Sequence, residues 1–333
     1  MASRALGILM AAFIAVVAVY AFYPRSLPEY PATVTNPTRL RLNGVALSGD
    51  RVVAVGESGH VLISDDRGNS WRDARVNPGA GSGRVQSTLT QVAFVSETEV
   101  LATGHDGMVL RSTDRGDSWT VARFEQDYSD PLFGLCRSTG GALIAVGSFG
   151  RLLRSDDEGQ SFETIPVELP DGPHLNAIDC AADGHIMIAG ELAQVLRSAD
   201  GGKSWELVQL AYNGSLYGVV QASASRWLVF GMRGHVFATD DFGNSWSEVA
   251  TGVETSLFGG LKLADGRIML YGQGNTILLS SDGGRSFRIE RMGGRESLIA
   301  ALEIAPDTLL FAGEKGISKY TLGRPVAALN GGL

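Results

Sequence analysis

Little in this sequence is suited to holding a metal or a nucleic acid. There are only two cysteines, with no CxxC, and five histidines scattered along the chain. A metal site needs several such ligands to converge, so neither metal nor cofactor is expected. Lysine and arginine number 28 against 36 acidic residues, for a formal net charge of −8. Phosphate backbones call for clustered cations, so that balance argues against a nucleic-acid partner. No apolar run long enough to span a membrane occurs after Tyr23. Glycine, by contrast, is plentiful at 43 residues, with no collagen period. Many glycines mean many tight turns, which favours an all-β architecture. The 333 residues, 44% of them hydrophobic, suffice for one large core or two ordinary domains.

The N-terminus differs from the rest. Arg4 precedes an uncharged apolar run of 18 residues, Leu6 to Tyr23. This has the n-region and h-region of an export signal, with Val19-Tyr20-Ala21 as a small-x-Ala cleavage site. It is also at the short end of a membrane span. The expectation is therefore a signal peptide or transmembrane anchor over residues 1–23. Pro24, Pro28, Pro31 and Pro37 make residues 24–38 a stiff linker. Both readings place the bulk of the chain outside the cytoplasm, in the periplasm, tethered to the inner membrane if the segment is not cleaved.

Six segments then share one pattern. The first is Ser64-Asp-Asp-Arg-Gly-Asn-Ser-Trp71, and written once it is [ST]-x-D-x-G-x-S-[WF]. The aspartates are Asp66, Asp114, Asp157, Asp200, Asp241 and Asp282. The aromatics are Trp71, Trp119, Phe162, Trp205, Trp246 and Phe287, at spacings of 48, 43, 43, 41 and 41 residues. A period in the forties is that of a four-stranded propeller blade. The aspartate suits a turn whose backbone N–H groups it accepts two residues on. The glycine supplies positive φ, and the aromatic opens the next strand and plugs a gap between blades.

Two strands joined by a tight turn precede each box, and in four of the six the turn is G-x-x-G, as in Val52-Val-Ala-Val-Gly-Glu-Ser-Gly59. A seventh copy, Leu298 to Tyr320, has the strands but not the box. The expectation is a seven-bladed β-propeller over residues 39–321, followed by a tail at 322–333. Tyr30 to Thr35 is the candidate for a missing closing strand. Cys136 and Cys180 fall in consecutive repeats, and two buried free thiols is the preferred reading, because spacing alone supplies no bridging geometry.

The boxes are BNR or Asp-box repeats. Paired with the V-G-x-x-G hairpins from about Leu40 to Tyr320, they resemble the photosystem II stability/assembly factor family. The resemblance implies a non-catalytic propeller at a membrane surface that helps assemble membrane protein complexes. It implies as partner a photosystem subunit or, in a non-photosynthetic bacterial branch, a resistance-nodulation-division type exporter. Sialidases share the Asp box, so an exported glycan-active hydrolase or lectin is the alternative. The sialidase Phe/Tyr-Arg-Ile-Pro motif is absent, and no carboxylate pair is singled out.

Function is expected on the face of the G-x-x-G turns and inter-blade loops, around the channel mouth. The turns present Glu57, His105, Asp106, Phe149, Glu191, Arg233, Gln273, Glu314 and Lys315, and the loops add Arg84, Tyr128, Tyr212 and Arg295. Mixed charges with aromatics suit protein recognition. The flexible insertion Val76 to Val85 reads as a contact arm or a tolerated surface loop.

Overall fold

The computed structural model describes residues 2–22, 35–77, 86–124 and 130–323. The chain divides after residue 34 into two units. The first contains the helix Ala2–Phe22, on which Leu6, Leu9, Met10, Phe13 and Ile14 are exposed. Among the residues whose side chains are described, no helix is long and apolar enough to cross a membrane. The uncharged run of the sequence includes Ile8 and Val19 to Tyr23, which lie outside that set.

The second unit is a seven-bladed propeller. Seven separate sheets follow one another along the chain, each meandering outward from an innermost strand. The innermost strands are Leu42–Ser48, Leu89–Phe94, Leu132–Arg137, Leu175–Cys180, Leu216–Gln221, Leu257–Lys262 and Leu298–Ala305. Second strands such as Arg51–Gly56 and Ile268–Gly272 are buried almost throughout, because blades cover both of their faces. Seven apolar clusters fill the seven gaps between blades, and the last joins Leu42, Ala54 and Leu62 to Ile304, Leu310 and Ile317. Packing thus closes the ring between blades 7 and 1. Among the described residues blade 7 has three strands. Of the expected closing segment, Tyr30 to Val34 lie outside the described residues. The chain enters beside blade 7, where the Ile317 N–H donates to Pro37 O at 3.0 Å.

The Asp boxes connect third strands to fourth strands. In the first, Asp66 Oδ1 accepts the Ser64 hydroxyl and the N–H groups of Asn69 and Ser70 at 2.7–2.9 Å. Its Oδ2 accepts the Ser70 hydroxyl at 2.6 Å. The accepted amides lie three and four residues on, not two as the sequence reading had it, because the turn is longer. Two consecutive residues are left-handed, Arg67 at φ +54° and Gly68 at φ +79°. A Cβ on Gly68 would stand 2.4 Å from Leu310 of blade 7, so this glycine also lets neighbouring blades close. Each box aromatic packs back on the preceding blade. Trp119, fully buried among Val53, Val55 and Val61, donates its indole N–H to Gly116 O at 2.8 Å.

These bonds hold the box aspartates ionised. In Asp157 and Asp241 the Ser161 and Ser245 hydroxyls and amides, then the Ser155 and Thr239 hydroxyls, lower the pKa from 3.8 to about 2. The unfolded chain therefore binds protons more readily. The stabilisation is complete above about pH 5 and is lost as pH falls through about 2. Asp157→Asn is expected to lower the melting temperature by no more than a few degrees at pH 7, the site being exposed. That difference should shrink as pH falls through about 2 and be gone near pH 1, and a full difference that persists there would contradict the electrostatic account.

Arginines stitch blade to blade on this side. Arg111, Arg154 and Arg197, each just before a box, donate to Glu158 O, Gly201 O and Phe242 O in the next blade's box at 3.1, 3.2 and 2.6 Å. Blades 1 and 5 have Ile63 and Ala238 at that position. There Arg51, in the second strand, and Arg226, just before it, reach Arg115 O and Gly284 O instead.

Two further readings are corrected. Cys136 and Cys180 form a disulfide, with Cα atoms 5.8 Å apart, joining the inner strands of blades 3 and 4. The free-thiol reading failed because register across a blade interface is invisible in one-dimensional spacing. The insertion after blade 1 is not wholly a loose arm either. Arg75–Asn77 pairs in parallel with Ser118–Arg123 as a fifth, outer strand of blade 2. The rest of it, Pro78 to Val85, lies outside the described residues.

Candidate functional site

Every blade starts on a buried leucine, a variable residue and, in six of the seven, a glycine or alanine. In all seven blades the pairing register slips between the leucine and the third residue. A bulge leaves its extra residue unpaired and re-aims the side chain. The bulged residues are Asn43, Thr90, Phe133, Asn176, Tyr217, Phe258 and Ile299, and all of them line one central cavity of about 560 Å³. The small third residue lets inner strands approach: a Cβ on Gly44 would stand 2.9 Å from Gln91 Cα.

The ring has two characters. Asn43, Thr90 and Asn176 are locked by donating to Leu89 O, Leu132 O and Leu216 O of the next blade at 2.8, 2.5 and 2.9 Å. Phe133, Tyr217, Phe258 and Ile299 supply the apolar part, with the Tyr217 and Phe258 rings 5.8 Å apart. Tyr271 lies behind them, its phenol pKa pushed up by burial. Among the described residues, the one charged residue lining the cavity is Arg41. The arrangement can take an apolar or aromatic group against its aromatic side and offer the asparagine carbonyls to neighbouring polar groups.

The turn residues surround this mouth. Glu57 and His105 share a depression of about 440 Å³ with Arg41, Thr88, Phe133 and Ile299. Arg41 holds Glu57 at 3.8 Å. Asp106, at φ +59°, accepts the Ser87 hydroxyl at 2.6 Å. Phe149 is 67% exposed at φ +52°, and its N–H donates to His174 Nδ1 at 3.0 Å. Glu191 accepts the His174 backbone N–H at 3.0 Å.

Further round, Arg233 stands at φ +55°, and the Tyr212 hydroxyl donates to Met232 O at 3.2 Å. Gln273 contributes its carbonyl to Thr276. Glu314 accepts the Ser297 N–H at 3.3 Å, Lys315 pairs with Glu296 at 2.5 Å, and Arg295 is exposed. Arg84 and Tyr128 lie outside the described residues. The six box aspartates and their aromatics belong to the opposite ends of the blades.

Sequence reasoning found the turns and missed the bulge ring. A signal was available, since Leu-x-Gly or Leu-x-Ala opens six of the seven repeats. Left-handed backbone in bulky residues was also unforeseen. Phe149 and Leu192 hold apolar side chains in water from a conformation that L-residues disfavour by about 1–2 kcal/mol. Such strain persists where the surroundings impose it, often at functional turns.

No family model matches this chain, and no curated protein matches it. Solved structures do. A YCF48 bound to a D1 peptide aligns with TM-score 0.68 at 16% identity, over 88% of this chain and 99% of that one. YCF48 from Cyanidioschyzon merolae aligns with TM-score 0.69 at 16% identity, over 86% and 98%. The WD40 β-propeller domain of Doa1 gives 0.68 at 11%, over 89% and 96%. At such identities the likeness is one of fold: this chain is built as those seven-bladed propellers are.

Proposed function

We propose that this chain is an exported, non-catalytic propeller that binds a segment of a membrane protein complex across its G-x-x-G face and assists that complex's assembly or operation. The observation that carries the reading is the channel mouth. Seven bulges aim two amides, a hydroxyl, three aromatics and an isoleucine at one cavity whose lining, among the described residues, has a single charged residue. That composition suits an uncharged, apolar part of a polypeptide. The resemblance to photosystem II assembly factors and the YCF48 bound to a D1 peptide support a membrane-protein segment as the class of ligand. Whether the complex is a transporter or a photosystem is left to the experiment.

Export is supported by two independent features. One is the apolar N-terminal helix. The other is the disulfide, since such bonds persist in oxidising compartments and are rare in cytosol. The hydrolase alternative gains no support from geometry. The box aspartates are spent on their own turns, and Glu57 and Asp106 are engaged by Arg41 and Ser87.

The test is capture from detergent-solubilised membranes with the purified chain, beside Tyr217→Ala/Phe258→Ala. Truncating central aromatics commonly costs 2 kcal/mol or more, about thirty-fold in Kd. The double variant should therefore lose its membrane-protein partner. Recovery of no membrane protein by the wild type, or equal recovery by the variant, refutes the reading. Turnover of chromogenic glycosides that disappears in Glu57→Gln would replace it with the hydrolase.

A further inference from the structure

We infer that the Phe149 turn is a proton-operated latch, closed when His174 is neutral and released when it is charged. This rests on the binding-face reading for its consequence, since Phe149 is, among the described residues, the most exposed large apolar residue of that face.

The position before each blade's first leucine is Arg41, Thr88, Pro131, His174, Ser215, Ser256 or Ser297. Only blade 4 places a histidine there. Its Nδ1 accepts the Phe149 N–H across the blade interface at 3.0 Å. An atom that accepts that bond cannot carry a proton. The closed turn therefore requires neutral imidazole with its hydrogen on Nε2.

The alternative partner is already in place. Glu191 Oε2 stands 4.0 Å from the same Nδ1, anchored by the His174 backbone N–H at 3.0 Å. Blade 1 shows the same pairing with a permanent charge, Arg41 on Glu57 at 3.8 Å. Asp171 precedes His174 by three residues on its own loop. The other charged groups of the adjoining elements, among the described residues, are Arg151, after the Phe149 turn, and Asp130, before the Phe133 strand. They hold each other at 3.5 Å.

A proton on Nδ1 sets two hydrogens against one another at the Phe149 amide. It also offers Glu191 a charge-assisted bond. The imidazole then turns to Glu191, and the turn loses its side-chain acceptor while retaining its left-handed strain at φ +52°. The edge-on contact of Phe149 with the His174 ring, at 4.8 Å between centroids, is lost with it. The switch is the charging of an imidazole by acid. Acid frees Phe149, and neutral pH holds it.

Amide hydrogen exchange of Phe149 in the full chain, corrected for the intrinsic pH dependence of exchange, reads the latch without any partner. Protection should fall about tenfold or more from pH 8 to pH 5 in the wild type. In His174→Gln, whose side-chain oxygen accepts at every pH, it should stay level. Glu191→Gln should move the loss to lower pH by weakening the charged state. Unchanged wild-type protection across the interval in folded protein, or an equal loss in His174→Gln, overturns the latch. A latch that operates while partner capture is absent at every pH would leave it standing and refute the binding reading instead.

Discussion

Replacing Cys136 and Cys180 together by serine lowers the thermal unfolding midpoint of the propeller by roughly 8–15 °C. The magnitude follows from chain entropy. The bond spans a sequence separation of 44 residues. Releasing a loop of that length restores to the unfolded ensemble about 4 kcal/mol of conformational freedom. In a domain of this size each kcal/mol moves the midpoint by about 2–4 °C. Calorimetry of oxidised wild type, wild type in reductant and the double variant measures it. Reduced wild type and the variant should coincide, both below the oxidised protein. Coincidence of all three would mean that blades 3 and 4 are held as firmly without the bond. The same scans bear on location, because a protein that depends on this bridge cannot be at full stability in a reducing cytosol.

The second large effect is steric. Gly231→Ala should lose more than about 3 kcal/mol or fail to fold. Its backbone is extended, at φ −178°, so an L-residue meets no dihedral penalty. The obstacle is contact: a Cβ there would stand 2.2 Å from Ser215 O and 2.7 Å from Leu216 Cα. The same collision recurs at Gly56, Gly147 and Gly272, at 2.1–2.2 Å from the carbonyl before each blade's first leucine. Gly190→Ala, at 2.8 Å from His174 O, should lose less. Gly252→Ala has open space but φ +73°, and should lose about 1 kcal/mol. Urea midpoints order the three. If Gly231→Ala were no worse than Gly252→Ala, the close approach of first and second strands would not be what these glycines serve.

The two glycines of G-x-x-G therefore act differently, which reading them as hairpin punctuation did not reveal. The first permits backbone contact. The last, as at Gly59 or Gly234, takes positive φ. Blades 4 and 6 place Ala193 and Asn275 there and keep the left-handed backbone, at φ +54° in each. Local pattern marks the turn, and packing against the neighbouring blade imposes its conformation.

The ring itself was legible because a propeller is a local fold repeated. Each box, each G-x-x-G turn and each leucine-led strand meets its partners within one period, so spacing in the chain stands for spacing in space. Seven blades and the strand order of six followed from that, as did the structural role of Asp66 and its equivalents.

What sequence could not supply lies between blades. The Cys136–Cys180 bond, the arginine stitch and the Phe149–His174 contact each join residues of neighbouring blades. Their meeting depends on how two sheets are rotated about the axis. The channel lining is the clearest case. Asn43, Tyr217 and Phe258 sit at one position of the repeat, so their equivalence was written in the chain. That this position faces the cavity is decided by a bulge in every inner strand, a feature of hydrogen-bond register that only the folded sheets possess.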